Sequence, residues 1–235
     1  MMIDLFSRLR ATLFIIVLSP FLAGCGEMDD DVQQRTGAAP PSILEQERAR
    51  QGVDLTGVGY DLGDPSAPIS IVEFSDFGCH FCRQFATETF PTLEREYIET
   101  GKVRWKYIPF VLGIFPNGDR AAIAGVCAAQ QGDEAFWTMH DVLYASQDEW
   151  KSEGGAARQL FARYAEDAGL DEGQFLRCYD QNEPARDITT NDRLGRQLGV
   201  RATPTFFING ARVEGAIPLD LFKRVLDEVG EETGR

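Results

Sequence analysis

Two apolar runs, ISIVEF at 69–74 and KVRWKYIPFVL at 102–112, flank one helix-length segment, and this spacing restricts the fold more than any other feature of the chain. The first run is bounded by PSAP before it and SDFG after it, as expected of a short buried strand. Between the runs, RQFATETFPTLEREYIETG (83–101) sets Phe85, Phe90, Leu93 and Tyr97 along one side of a helix. Gly101 is placed to cap that helix and Pro91 to kink it. Strand, helix and strand at this spacing predict a right-handed βαβ unit.

The rest of the folded region reads as helices followed by a hairpin. Residues from about Asp119 to Leu198 are helical in pattern, with Phe136, Met139, His140 and Leu143 at i, i+3, i+4 and i+7 of one face. His140 is read there as a packed histidine, and Phe136 and Trp137 as core. AARQLFARYAEDAG ends at Gly169, Asp171 fits an N-cap, and Pro184 and Gly199 bracket a further helix. TPTFFING then gives a strand, Asn209-Gly210 a hairpin turn, Arg212 to Glu214 a short return strand, and LDLFKRVLDEV a final amphipathic helix. No internal repeat is visible.

The chemistry centres on FGCHFC, residues 77–82. Cys79 falls where the first helix begins, beside unpaired backbone N–H groups and the positive end of the helix dipole, which favours its thiolate. A thiolate is both the attacking species and a good leaving group in disulfide exchange, and Cys82, one turn later, can close or resolve a disulfide. A structural metal site is the first alternative. It needs about four ligands, and the folded region adds only two histidines and two distant cysteines. A purely structural disulfide is the second, but so short a loop constrains little chain. Redox exchange is the reading that uses the position of Cys79. Glu73 lies in an otherwise apolar strand, where a lone buried carboxylate would be costly; a surface charge pair is the bland alternative.

The N-terminal region has a different character. Arg8 and Arg10 precede the apolar stretch ATLFIIVLSPFLA (11–23), in the manner of a secretory signal. The stretch is shorter than the about 20 apolar residues of a membrane span. Its ending, Leu22-Ala23-Gly24-Cys25, resembles the lipobox of bacterial lipoproteins, in which the cysteine is acylated after cleavage; an ordinary signal with an incidental cysteine is the alternative. From Gly26 to about Tyr60 the chain is polar and reads as a tether, with ILEQERARQ (43–51) as a short helix within it. A net charge of −14 argues against nucleic acid as a partner.

Taken together, GDPSAPISIVEFSDFGCHFC, AGVCAAQQGDEAFWTMHDVLY and GVRATPTFFING resemble the DsbA family of thiol:disulfide oxidoreductases, over roughly residues 61–230. The resemblance implies an α/β chain with a thioredoxin fold interrupted by an inserted helical domain. The corresponding division is a signal at 1–24, a tether at 25–60, a thioredoxin-like domain at 61–112 and 200–235, and the insertion at 113–199. It implies a redox pair at Cys79 and Cys82; His80, where many relatives have proline, places a cation next to Cys79 by its position in the sequence. It also implies a cis Thr203-Pro204 bond that offers backbone to a substrate peptide, with Thr203 acting on substrate release and on the thiolate. Glu73 would handle the proton of the buried second cysteine, with Lys106 as its companion. Once Cys25 is assigned to lipid and Cys79 and Cys82 to exchange, Cys127 and Cys178 remain in the insertion. An oxidising compartment favours a bridge between them, and some relatives carry a second pair there; two buried free thiols are the alternative.

The function implied is a monomeric, lipid-anchored enzyme facing the periplasm or cell exterior. It would introduce disulfides into reduced exported proteins and be recycled by a membrane redox partner. Neither metal nor cofactor is implied. A tethered reductase or isomerase is the neighbouring reading, and a non-catalytic peptide-binding chaperone is the reading from another class.

Overall fold

The structure, a computed structural model, describes residues 54–233. The signal, Cys25 and most of the tether lie outside the described residues. Strands β1 (Tyr60–Leu62), β2 (Ile69–Ser75), β3 (Val103–Pro109), β4 (Thr205–Ile208) and β5 (Ala211–Glu214) form one sheet in the order β1-β3-β2-β4-β5. β2 and β3 are parallel, with Ile71 beside Trp105 and Glu73 beside Tyr107. The β1–β3, β2–β4 and β4–β5 pairs are antiparallel.

β1 corrects the expected boundary, because residues 54–60 belong to the fold and not to a tether. The Tyr60 ring stacks on Phe136 at 3.7 Å, and the Val58 carbonyl accepts from Lys106 Nζ at 2.9 Å. A three-residue edge strand has too few positions to show an alternating pattern; tertiary contacts hold it.

Helix α1 is a continuous run of four segments, His80–Gln84, Phe85–Thr89, Phe90–Leu93 and Glu94–Ile98. The second and fourth segments are π turns. Pro91 cannot donate to the carbonyl four residues back, and widening the preceding turn accommodates that break. One wide turn thus precedes Pro91 and a second follows it.

The remaining helices are α2 (Gly118–Ala129), α3 (Asp133–Ala145), α4 (Gln147–Ser152), α5 (Ala157–Asp167), α6 (Glu172–Gln181), α7 (Ala185–Gln197) and α8 (Leu219–Thr233). Asp171 caps α6, accepting from Gln174 N–H at 2.6 Å.

Alternation along the strands sends Ile71, Glu73, Trp105, Tyr107 and Phe206 to one face and Val72, Phe74, Lys106, Ile108 and Phe207 to the other. On the first face Phe85, Phe90 and Leu93 of α1 and Phe222 and Leu226 of α8 pack with Trp105 and Phe206. Each of these large side chains contributes roughly 1.5–3 kcal/mol by leaving water. On the second face Phe74, Ile108, Phe110 and Phe207 meet Leu198 and Val200, with Leu194 of α7 against them. α7 approaches so closely that a Cβ on Gly195 would lie 2.6 Å from the Phe110 ring. It thus packs on the sheet through Gly195, while Ile188 nearer its start lies in the cluster of the inserted helices. Helices α2–α6 surround Phe136, Met139, Leu143, Trp150, Phe161 and Phe175. A Cys127–Cys178 disulfide joins α2 to α6, with an S–S length of 2.00 Å and Cα atoms 5.7 Å apart.

Candidate active site

The turn after β2 delivers Cys79 to the start of α1. Its backbone is extended (φ −78°, ψ 129°), and its N–H donates to the Asp76 carbonyl at 2.9 Å. Both Cys79 and Cys82 are thiols, 4% and 0% exposed, so only Cys79 can be approached from outside. The Cys79 thiol is pulled down to about 5. The Cys82 thiol donating to its sulfur is the largest cause, followed on the same side by the Thr203 hydroxyl and the amides of Cys82 and Phe81. Burial works against that shift. Burial pushes Cys82 the other way, and the adjacent Cys79 adds to it. One sulfur is therefore an anion at neutral pH while its partner keeps its proton.

The Thr203–Pro204 peptide is cis and lies against this pair. In its thiol form Cys79 Sγ donates to the Thr203 carbonyl at 3.3 Å, across 124 residues of sequence. The Thr203 hydroxyl is buried with no hydrogen-bond partner of ordinary geometry, yet it acts on both sulfurs, favouring the anionic form of each.

Glu73 is 2% exposed, on the face of β2 shared with Ile71 and beside Tyr107 of β3. Its Oε2 accepts from Trp105 Nε1 at 3.0 Å, and burial holds its carboxyl above the usual value of 4.5. Lys106 is not its companion. Register pairs Lys106 with Val72, one position out of phase, so the lysine emerges on the opposite face. There its Nζ pairs with Asp61 at 2.9 Å. Tyr107 takes the place beside Glu73, and its hydroxyl lies 2.8 Å from that of Tyr144.

Glu73→Gln should retain an acceptor for Trp105 and remove the titration. As pH rises above about 4.5, the unfolded carboxyl ionises while the buried one resists. The native state then holds more protons, and wild-type stability falls until the buried group also ionises. The variant is expected to gain stability relative to wild type as pH rises above about 4.5, read as urea midpoints. A difference between the two proteins that does not change with pH would count against a buried, protonated Glu73.

His80 is exposed at the first position of α1, with its ring edge-on to Phe81. His140 is buried, and its Nδ1 lies 2.9 Å from Asp141 Oδ1. Among the described residues no three His, Cys, Asp or Glu side chains are grouped as metal ligands.

Asp76 is a site residue that the sequence shows only as part of the SDFG segment after the first strand. It is 1% exposed, and its two carboxylate oxygens accept from Gly78 N–H and Leu112 N–H, each at 2.8 Å. Burial, partly offset by these bonds, raises it to about 6. The carboxylate thereby joins the active-site turn to the loop after β3. That loop carries Ile114 (73% exposed) and Phe115, while Phe81 of the cysteine motif is 58% exposed. A Cβ on Gly78 would sit 2.4 Å from that of Phe115, so only glycine allows the two segments to meet. The result is an exposed apolar lip beside a nearly buried nucleophile. The only sequence signal for Asp76 was an acid at the end of a buried strand, next to the cysteines.

The sequence profile described as Thioredoxin matches residues 56–228. Probable disulfide bond formation protein D of Bacillus anthracis is 30% identical over 155 residues, covering 63% of this chain and 69% of that protein. Na(+)/H(+) antiporter NhaA 3 of Salinispora tropica is 34% identical over 155 residues, 65% of this chain; the match spans only 22% of the antiporter. The crystal structure of Wolbachia pipientis alpha-DsbA1 superposes with a TM-score of 0.67 at 27% identity, covering 74% of this chain and 91% of that one.

Proposed function

The chain belongs to the thioredoxin family, as a DsbA-like protein disulfide oxidoreductase, and from that premise we propose that its Cys79–Cys82 pair donates a disulfide to reduced exported proteins. In the first step a substrate thiolate attacks Cys79 Sγ, the Cys79–Cys82 bond breaks, and Cys82 leaves and takes up a proton. In the second step another substrate thiolate attacks the substrate sulfur of the mixed disulfide and expels Cys79 as a thiolate. The substrate loses two electrons and the pair gains them. A membrane redox partner then removes them.

One observation carries this direction. Cys79 is stabilised as an anion, to about 5, and is therefore a good leaving group. A stabilised thiolate favours the reduced form of the enzyme, which makes its disulfide a stronger oxidant. The lip of Phe81, Ile114 and Phe115 fits an unfolded segment with an apolar side chain near its cysteine. The Thr203–Pro204 backbone offers that segment hydrogen bonds, with Thr203 governing its release. Glu73 takes and returns the proton of Cys82. His80 adds positive charge on the open side when protonated. The lipobox at Cys25 supports export and a lipid anchor facing the periplasm or exterior. No helix among the described residues is long and apolar enough to cross a membrane.

The test is the equilibrium of the pair against glutathione buffers, read by thiol trapping and mass. A potential well above about −200 mV is expected; one near about −270 mV would make the protein an electron donor and overturn the oxidising direction.

A further inference from the structure

The active-site turn is gripped from the inserted helices as well as from the sheet. Gln147, at the start of α4, is 1% exposed and donates from Nε2 to two carbonyls, Phe77 O at 2.6 Å and Cys79 O at 2.9 Å. Lys151, four residues on and so on the same side of α4, donates from Nζ to the carbonyl between them, Gly78 O, at 2.7 Å. Its ammonium also lies over the Phe115 ring, 5.3 Å from the centroid. Three consecutive carbonyls are thus held by two side chains of one short helix. The amide of Gln147 offers two N–H donors without a charge, which allows it to be buried between two acceptors.

The arrangement acts on the nucleophile through its flanking peptides. The carbonyl of Cys79 belongs to the peptide that opens α1, and its orientation fixes where the first amides of that helix point. The carbonyl of Gly78 belongs to the peptide that precedes Cys79, and there Lys151 places a fixed positive charge. Asp76 restrains the N–H side of the same turn through Gly78. The turn is therefore restrained from both sides; on the carbonyl side α4 supplies every side-chain donor, and the Arg83 N–H of α1 adds a bond to Cys79 O at 3.1 Å.

We infer that Gln147 and Lys151 are positioning residues for the redox pair, so that the inserted helices, and not the sheet alone, set how readily Cys79 leaves as a thiolate. This rests on the assignment of Cys79 and Cys82 as that pair. Without Lys151 the preceding peptide loses a charged donor. Without Gln147 the Phe77 carbonyl loses its partner, the Cys79 carbonyl keeps only the Arg83 N–H, and the Phe77–Cys79 turn can rotate away from the α1 amides. Either change disfavours the thiolate, hence the reduced form, and weakens the disulfide as an oxidant.

Full-length wild type, Lys151→Met, Lys151→Arg and Gln147→Leu would be compared in two measurements. These are the pH midpoint of ultraviolet thiolate absorbance and the equilibrium with glutathione. Lys151→Met should raise the midpoint and shift the equilibrium about tenfold toward the disulfide, which is about 30 mV. Lys151→Arg keeps a charged donor and should stay near wild type. Gln147→Leu should move both readings in the same direction as Lys151→Met. A role confined to stability would lower the melting temperature and leave midpoint and equilibrium in place. A folded Lys151→Met protein with wild-type midpoint and equilibrium overturns the inference, whatever happens to Gln147→Leu. A wild-type chain that does not exchange with glutathione overturns the pair assignment, and this inference with it.

Discussion

A Cys79→Ser protein is expected to lose catalysed oxidation of thiol substrates, by a factor on the order of 10⁴ or more, leaving only the background reaction. Cys79 is the one sulfur of the pair within reach of solvent, and the interactions that favour an anion converge on it. A serine hydroxyl does not ionise near neutral pH and forms no disulfide, so none of those interactions has a charge to stabilise. Cys82 cannot substitute, because it is fully buried and held as a thiol. The companion Cys82→Ser protein keeps the reactive sulfur but lacks the resolving one, and it should accumulate mixed disulfides visible by mass. Wild-type oxidation by Cys79→Ser would remove the pair from the chemistry and leave a peptide-binding chaperone as the better reading.

Replacing both Cys127 and Cys178 with serine is expected to cost about 4 kcal/mol of stability, because the bridge closes a loop with a sequence separation of 51 residues. For a domain of this size that corresponds to a fall of roughly 8–16 °C in melting temperature. The bridge ties α2 to α6, so its loss frees the unfolded chain across most of the inserted helices. Calorimetry of the double variant without reductant checks this. A fall of a degree or two would mean that the unfolded chain gains little freedom when the bridge is removed. The serine side chains also enter an apolar cluster, so Cys127→Ala with Cys178→Ala separates the lost crosslink from the buried hydroxyls.

Much of the frame was legible in the chain because it rests on periodicity and local chemistry. The runs around Ile71 and Trp105 became neighbouring parallel strands, and the motif of Cys79 and Cys82 lies where strand gives way to helix. The closeness of Cys79 to Thr203 and Pro204 came from resemblance to a family, since nothing in composition or spacing joins segments 124 residues apart. Register was the main thing hidden. Glu73 and Lys106 differ by one step in the parallel pairing, which sends them to opposite faces, and a strand's own sequence does not state its partner's offset. Gln147 gave no signal either. Its function depends on carbonyls of a distant turn, and an isolated glutamine in a polar stretch looks like surface.

The unequal burial of the two sulfurs has an effect on proton stoichiometry. With Cys79 already anionic above about 5 and Cys82 still protonated, reduction takes up two electrons but only one proton. The potential of such a couple drifts by about 30 mV per pH unit, whereas an ordinary dithiol, taking up two protons, drifts by about 59 mV. A reduced substrate protein follows the steeper line. The gap between enzyme and substrate therefore widens by about 30 mV, or about 1.4 kcal/mol, with each unit of alkalinity, and every disulfide handed over releases one proton to the surroundings.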